Sequence, residues 1–102
     1  MTLEQVKELF QTEAMKELCR QNGVERLSVF GSTARNEATA QSDLDLLVKF
    51  SDSKKPGLLE FMAIEDKFAE AVHQKVDLVT ENSLSGRRGE QIRRDVQVIY
   101  AS

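Results

Sequence analysis

The sequence predicts a small α/β (α+β) domain: a mixed β-sheet with helices packed mainly on one face. Three observations carry this. Apolar residues recur at helical intervals near the N-terminus and again over residues 58–72. Short apolar runs rich in Leu and Val lie between and after them, bounded by turn-forming Asn-Gly, Gly-Ser and a proline-containing segment. Helical and extended segments alternate along 102 residues, room for one modest core, so a single domain over residues 1–102 is expected.

Leu3, Val6, Phe10, Ala14 and Leu18 form the apolar stripe of one N-terminal helix, with Thr2 available as its N-cap. Asn22-Gly23 supplies the stop, because both residues accept the left-handed conformation that ends helices. Leu27 to Phe30 then reads as a strand, and a helical turn follows from Gly31 through Arg35. A polar stretch leads into a second strand, Asp43 to Phe50, and Ser51 to Gly57 is a loop holding the only proline. Leu58, Phe61, Met62, Ile64, Phe68, Ala69 and Val72 mark a second amphipathic helix ending near His73. Val76–Val79 is a third strand, residues 84–95 are helical, and Val96–Tyr100 is a final short strand. The methionines and the Phe61–Phe68 stripe are expected in the core.

Composition removes several classes of function. A net charge of -3 offers no general attraction to nucleic acid or an anionic membrane. Cys19 is the sole cysteine, which excludes an internal disulfide and a cysteine zinc site and suits a buried small hydrophobe. The N-terminal segment is interrupted throughout by charge, and no apolar run approaches the roughly 20 residues of a membrane span. A cytoplasmic protein with no membrane partner is the simplest expectation. His73 stands alone and suits a surface or helix-cap role better than a metal site.

The chemistry resides in three acids and a Gly-Ser pair. Strand alternation puts Asp43 and Asp45 on one side, and Leu44 and Leu46 on the other, where they can enter a core. Two carboxylates this close repel unless a cation neutralises them, and magnesium favours carboxylate, water and phosphate oxygens. Taken alone, Asp-x-Asp fits a pair of solvated acids equally well. Asp77 is the sharper signal: it interrupts Val76-Asp77-Leu78-Val79, where an acid is locally unfavourable. If that strand lay beside the Asp43–Asp45 strand, three carboxylates would converge and could hold two metal ions suited to in-line displacement at phosphorus. Gly31-Ser32 directly follows a strand, so backbone N–H groups of the next turn could meet an anion.

Ten residues separate Ser32 from Asp43, and Gly31-Ser32, this gap, then Asp43-Leu44-Asp45 resembles the signature of the DNA polymerase β-like nucleotidyltransferase superfamily. The run GSTARNEATAQSDLDLLVKF, with VDLVT downstream, is similar to the minimal nucleotidyltransferase (MNT) branch, and the likeness extends over nearly the whole chain. The resemblance implies the polymerase β-like fold, nucleotide binding at Gly31 and Ser32, and metal and catalytic roles for Asp43, Asp45 and Asp77. Arg35, just after the phosphate loop, joins the nucleotide-binding candidates, although an exposed surface position suits it equally. The family often has glycine where this chain has Asn36, a residue that also accepts positive φ.

MNT proteins are typically paired with a HEPN-domain RNase toxin, which they neutralise by AMP transfer. The resemblance therefore implies ATP as substrate, Mg2+ or Mn2+ as cofactor, and a tyrosine hydroxyl of a HEPN toxin as acceptor, in a hetero-oligomer. A chain this small leaves little surface for an acceptor domain of its own, which agrees. Arg87, Arg88, Arg93 and Arg94 are candidates for contact with that partner or the triphosphate, with Arg87 and Arg94 near one helix face and Arg88 diverging; a solvated face is the competing reading. Tyr100 could lie in the core, at an interface or be modified. The competing functions are an antitoxin that only binds and nucleotidyl transfer to a small molecule. A nucleic-acid polymerase is the least expected function, because the chain offers neither a thumb-like domain nor a strongly basic surface for a duplex, and direct nucleic-acid binding is not expected.

Overall fold

The computed structural model describes all residues from Met1 to Ser102. Its elements run α1 (Leu3–Leu9), α2 (Glu13–Gln21), β1 (Val24–Phe30), α3 (Gly31–Ala34), β2 (Leu44–Phe50), α4 (Leu58–Val72), β3 (Val76–Thr80), α5 (Gly86–Asp95) and β4 (Gln97–Ala101). The four strands form one sheet in the order β3-β2-β1-β4. β1 pairs antiparallel with both β2 and β4, whereas β3 runs parallel to β2. A parallel neighbour requires a crossover, and α4 provides it.

The N-terminal helix expected as one piece is two. Thr2 caps α1 as anticipated, in a reciprocal box with Gln5: the Gln5 N–H donates to Thr2 Oγ1 at 3.1 Å and the Thr2 N–H to Gln5 Oε1 at 2.9 Å. The helix then stops because Thr12 acts as a second cap. Its hydroxyl donates to the Leu9 carbonyl at 2.8 Å and accepts the Met15 N–H at 3.4 Å. The restart shifts the inward stripe by one residue. Met15 and Cys19 are buried, Ala14 is exposed and Leu18 is only half-buried.

One face of the sheet carries the main core. Leu27, Val29, Leu44, Leu46, Val48, Val76 and Leu78 meet Val6, Phe10, Cys19, Ile64, Phe68 and Val72 from α1, α2 and α4. Phe10 and Phe68 bring their ring centroids to 6.1 Å. Burial pushes the Cys19 thiol up to about 12, and Tyr100 belongs to the same core. The opposite face carries a small cluster, Phe30, Leu47 and Ile92, beneath α5. Helices thus cover mainly one face, with α5 and the short α3 beside it on the other.

The apolar stripe predicted for α4 holds at Ile64, Phe68 and Val72 and fails at Leu58 and Met62, which are 76% and 52% exposed. At 3.6 residues per turn, Met62 falls about 120° or more from both Ile64 and Phe68, away from the face they define, and Leu58 opens the helix with its side chain in solvent. Of the methionines, only Met15 is buried; Met1 and Met62 are exposed, against the core placement expected for all three. His73 closes α4 in the left-handed conformation, φ 56°, and is exposed, so it is both a cap and a surface residue. No helix is long and apolar enough to cross a membrane.

Candidate active site

The polar end of the sheet is assembled by strand parity and one pairing. On β2, Leu44, Leu46 and Val48 enter the main core, so Asp45 must face the α5 side, as does Leu47. On β3, Val76 and Leu78 are buried in the same core, which turns Asp77 to that same side. The parallel register places Asp45 directly opposite Asp77. The adjacency that sequence left open is therefore present, with the two acids as immediate neighbours. Asp43 sits one residue before β2, half-buried, with its carboxylate 3.9 Å from the Lys75 ammonium.

The phosphate-loop candidate abuts these acids. β1 runs antiparallel to β2 with Phe30 opposite Asp45, so the chain leaves β1 at Gly31 right beside that carboxylate. Gly31 has φ +69°, and a Cβ there would collide with Asp45 Oδ2. Glycine is required twice over, by backbone conformation and by space. α3 then turns away, with Thr33 2% exposed against the sheet and Ser32 half-buried at its start. The first N–H groups of a helix lack intrahelical partners, so this turn offers donors to an anion at the place where Asp45 offers oxygens. Asn36 ends the turn at φ 59°, the positive value that its substitution for glycine demands.

Electrostatics reflect the crowding. Asp45 is held above the ordinary carboxylate range, first by burial, then by the negative charges of Asp77 and Asp43. Arg88 and Arg35 act in the opposite direction on it. A carboxylate pushed toward protonation by neighbouring acids is one that a cation would relieve. The three acids do not form a ready-made cage, for no group of three His, Cys, Asp or Glu side chains is gathered closely enough to hold an ion. Asp43 lies instead beside the Lys75 ammonium. Magnesium characteristically takes one or two carboxylates and completes its shell with water and substrate phosphates, so an adjacent acid pair beside a turn that offers N–H donors fits it.

The candidate arginines all lie at exposed positions, the competing reading in each case. Arg35 does not reach freely toward the turn: Nη1 lies 2.7 Å from Asp95 Oδ2, and Nε lies 3.4 Å from Glu37. Asp95, at the end of α5, was not legible as a partner, being 60 residues away in sequence. Arg87, Arg88, Arg93 and Arg94 are all exposed. The one whose charge acts on Asp45 is Arg88, the residue that helical spacing set apart from Arg87 and Arg94. It also borders a shallow groove with Leu78, Val79 and Leu58.

Comparison with known proteins agrees with this architecture. The family profile described as a nucleotidyltransferase domain matches residues 12–99. The protein adenylyltransferase MntA of Thermococcus cleftensis is 36% identical over 96 residues, which is 94% of each chain. A solved structure named as a candidate minimal nucleotidyltransferase superposes with a TM-score of 0.73 at 37% identity, covering 95% of both chains. A chain from the complex of the tri-AMPylated Shewanella oneidensis HEPN toxin with its MNT antitoxin shares the fold. There the TM-score is 0.67 at 19% identity, over 99% of this chain and 74% of that one. The chain belongs to the nucleotidyltransferase domain family and is a nucleotidyltransferase of the minimal, MntA-like type.

Proposed function

We propose that this nucleotidyltransferase transfers AMP from ATP to a tyrosine hydroxyl of a HEPN-family RNase toxin, and so acts as its antitoxin. The observation that carries the reading is the Asp45–Asp77 pair set against Gly31. It is supported by the 36% identity to an MntA adenylyltransferase and by a shared fold with the MNT antitoxin complex. The complex would be a hetero-oligomer formed in the cytoplasm.

Each residue has a definite task in this reading. The N–H groups after Gly31 and the Ser32 hydroxyl hold the triphosphate, and Gly31 allows its close approach. Asp43, Asp45 and Asp77 would hold divalent metal, magnesium or manganese. Bound metal supplies charge neutralisation at the transferring phosphoryl group. Asp77 accepts the acceptor's proton as the tyrosine oxygen bonds to the α-phosphorus. The bond from that phosphorus to the bridging oxygen breaks, and pyrophosphate leaves in line. Arg35 contributes to the triphosphate after exchanging its contact with Asp95.

The test is incubation with α-labelled ATP, magnesium and the HEPN-family toxin proposed as its partner. Label on the HEPN protein, lost in Asp43→Asn, Asp45→Asn and Asp77→Asn and when its acceptor tyrosine becomes phenylalanine, is the expected result. Inhibition of the toxin without label, unchanged by those substitutions, would refute transfer and leave an antitoxin that only binds. Label on a small-molecule acceptor in place of the protein would refute the choice of acceptor.

A further inference from the structure

β3 is an edge strand, with β2 on one side and no strand on the other. Backbone groups along such a strand alternate between the paired and the open side. The Leu44 N–H donates to the Lys75 carbonyl at 2.9 Å, so Lys75 and, by alternation, Asp77 point their peptide groups toward β2. The next N–H, that of Leu78, points outward. It is met there by a side chain from the crossover helix: Glu65 of α4 accepts it at 2.9 Å through Oε2. Glu65 makes no ion pair, so this half-buried carboxylate is committed to a neutral amide.

The bonded amide belongs to the peptide linking Asp77 to Leu78. Fixing it sets the rotation of Asp77's own backbone, and therefore the direction in which its carboxylate leaves the strand opposite Asp45. The rest of the peptide is held from the other side by β2 and by Leu78, 5% exposed in the core. We infer that Glu65 is a positioning residue for Asp77, clamping the open side of β3 so that the Asp77 carboxylate stays aimed at the site it shares with Asp45. This rests on the role given to Asp77 under Proposed function. A charged acceptor makes a stronger bond to an N–H than a neutral one, and it also blocks the edge against strand addition. The clamp extends the influence of α4 to a site that none of its residues enters.

The inference is tested on the metal-free chain and by titration with Mn2+, neither of which needs an acceptor. Glu65→Ala and Glu65→Asp both remove the contact, since the shorter acid cannot reach. Water can replace the lost acceptor at an open edge, so the fold should persist. In both variants, exchange of the Leu78 amide should quicken at least about tenfold and Mn2+ affinity should fall about tenfold or more, the range seen when partners of metal ligands are removed. Glu65→Gln retains an acceptor oxygen and should bind Mn2+ within about threefold of the parent chain. Faster Leu78 exchange with unchanged Mn2+ affinity would overturn the inference, because edge protection alone would then explain Glu65. Unchanged Mn2+ affinity in Asp77→Asn would instead overturn the role of Asp77 itself, whatever the Glu65 variants do.

Discussion

Gly31→Ala separates catalytic geometry from fold stability. Gly31 lies at φ +69°, where an L-residue costs about 1–2 kcal/mol. A stiffer unfolded chain returns about 0.4–1 kcal/mol of that. The net loss is about 1 kcal/mol, which for a domain of this length lowers Tm by about 4–8 °C. The added Cβ also strikes Asp45, whose Cγ and Cβ would lie 3.2 and 3.4 Å away. The carboxylate can relieve this by turning, at small cost to folding and at full cost to its alignment. Displacement of a reacting group by about 1 Å can lose 100-fold in rate, so transfer of label from α-labelled ATP should fall by at least about that factor. Gly86→Ala supplies the control. Gly86 has φ +61°, and a Cβ added there would meet nothing within 4 Å, so it carries the strain without the collision. A similar drop in Tm is expected there, with activity within about twofold of the parent. Activity within about threefold of the parent in Gly31→Ala, or equal losses in both variants, would refute the claim that Gly31 makes room for Asp45.

Three further outcomes follow from the same geometry. Without divalent metal, Asp45→Asn should raise Tm at neutral pH: the folded carboxyl is held above the ordinary carboxylate range, so its ionised form weakens the fold as pH rises through the raised value. The gain should vanish below the ordinary carboxylate range, where Asp45 is protonated folded or unfolded, and a melt series over pH with chelator checks it. Cys19, with its thiol pushed up to about 12 by burial, should react with a disulfide reagent about a thousandfold more slowly in the folded chain than in denaturant, read from absorbance. Arg35→Ala should raise the KM for ATP about tenfold, as expected for loss of a charge-assisted contact to phosphate, whereas Asp95→Asn should leave it unchanged or lower it by freeing the guanidinium; steady-state kinetics decides.

The candidate site was legible because its signals are local. A two-residue period decides that Asp43 and Asp45 leave on the side away from Leu44 and Leu46, wherever the strand is placed. Val76-Asp77-Leu78-Val79 advertises its acid by the apolar residues around it. Gly31 announces a backbone that other residues resist. Helix interiors were equally plain at Ile64, Phe68 and Val72, where apolar spacing and burial coincide. The errors fell where one local preference competed with another. Thr12 could continue one helix or cap a new one, and its hydroxyl bonded the Leu9 carbonyl and the Met15 N–H.

What sequence determined alone was the set of elements after the divided N-terminal helix, the parity of the acids along their strands and the need for glycine before the turn, all consequences of backbone sterics and side-chain period. Only the tertiary structure decided that β3 lies parallel to β2 with Asp77 opposite Asp45, that Arg35 is bound to Asp95, that Arg88 is the α5 arginine felt by Asp45, and that Glu65 closes the open side of β3. These depend on which surfaces pack together. Packing joins residues distant in the chain, and no local pattern of polarity specifies the partner.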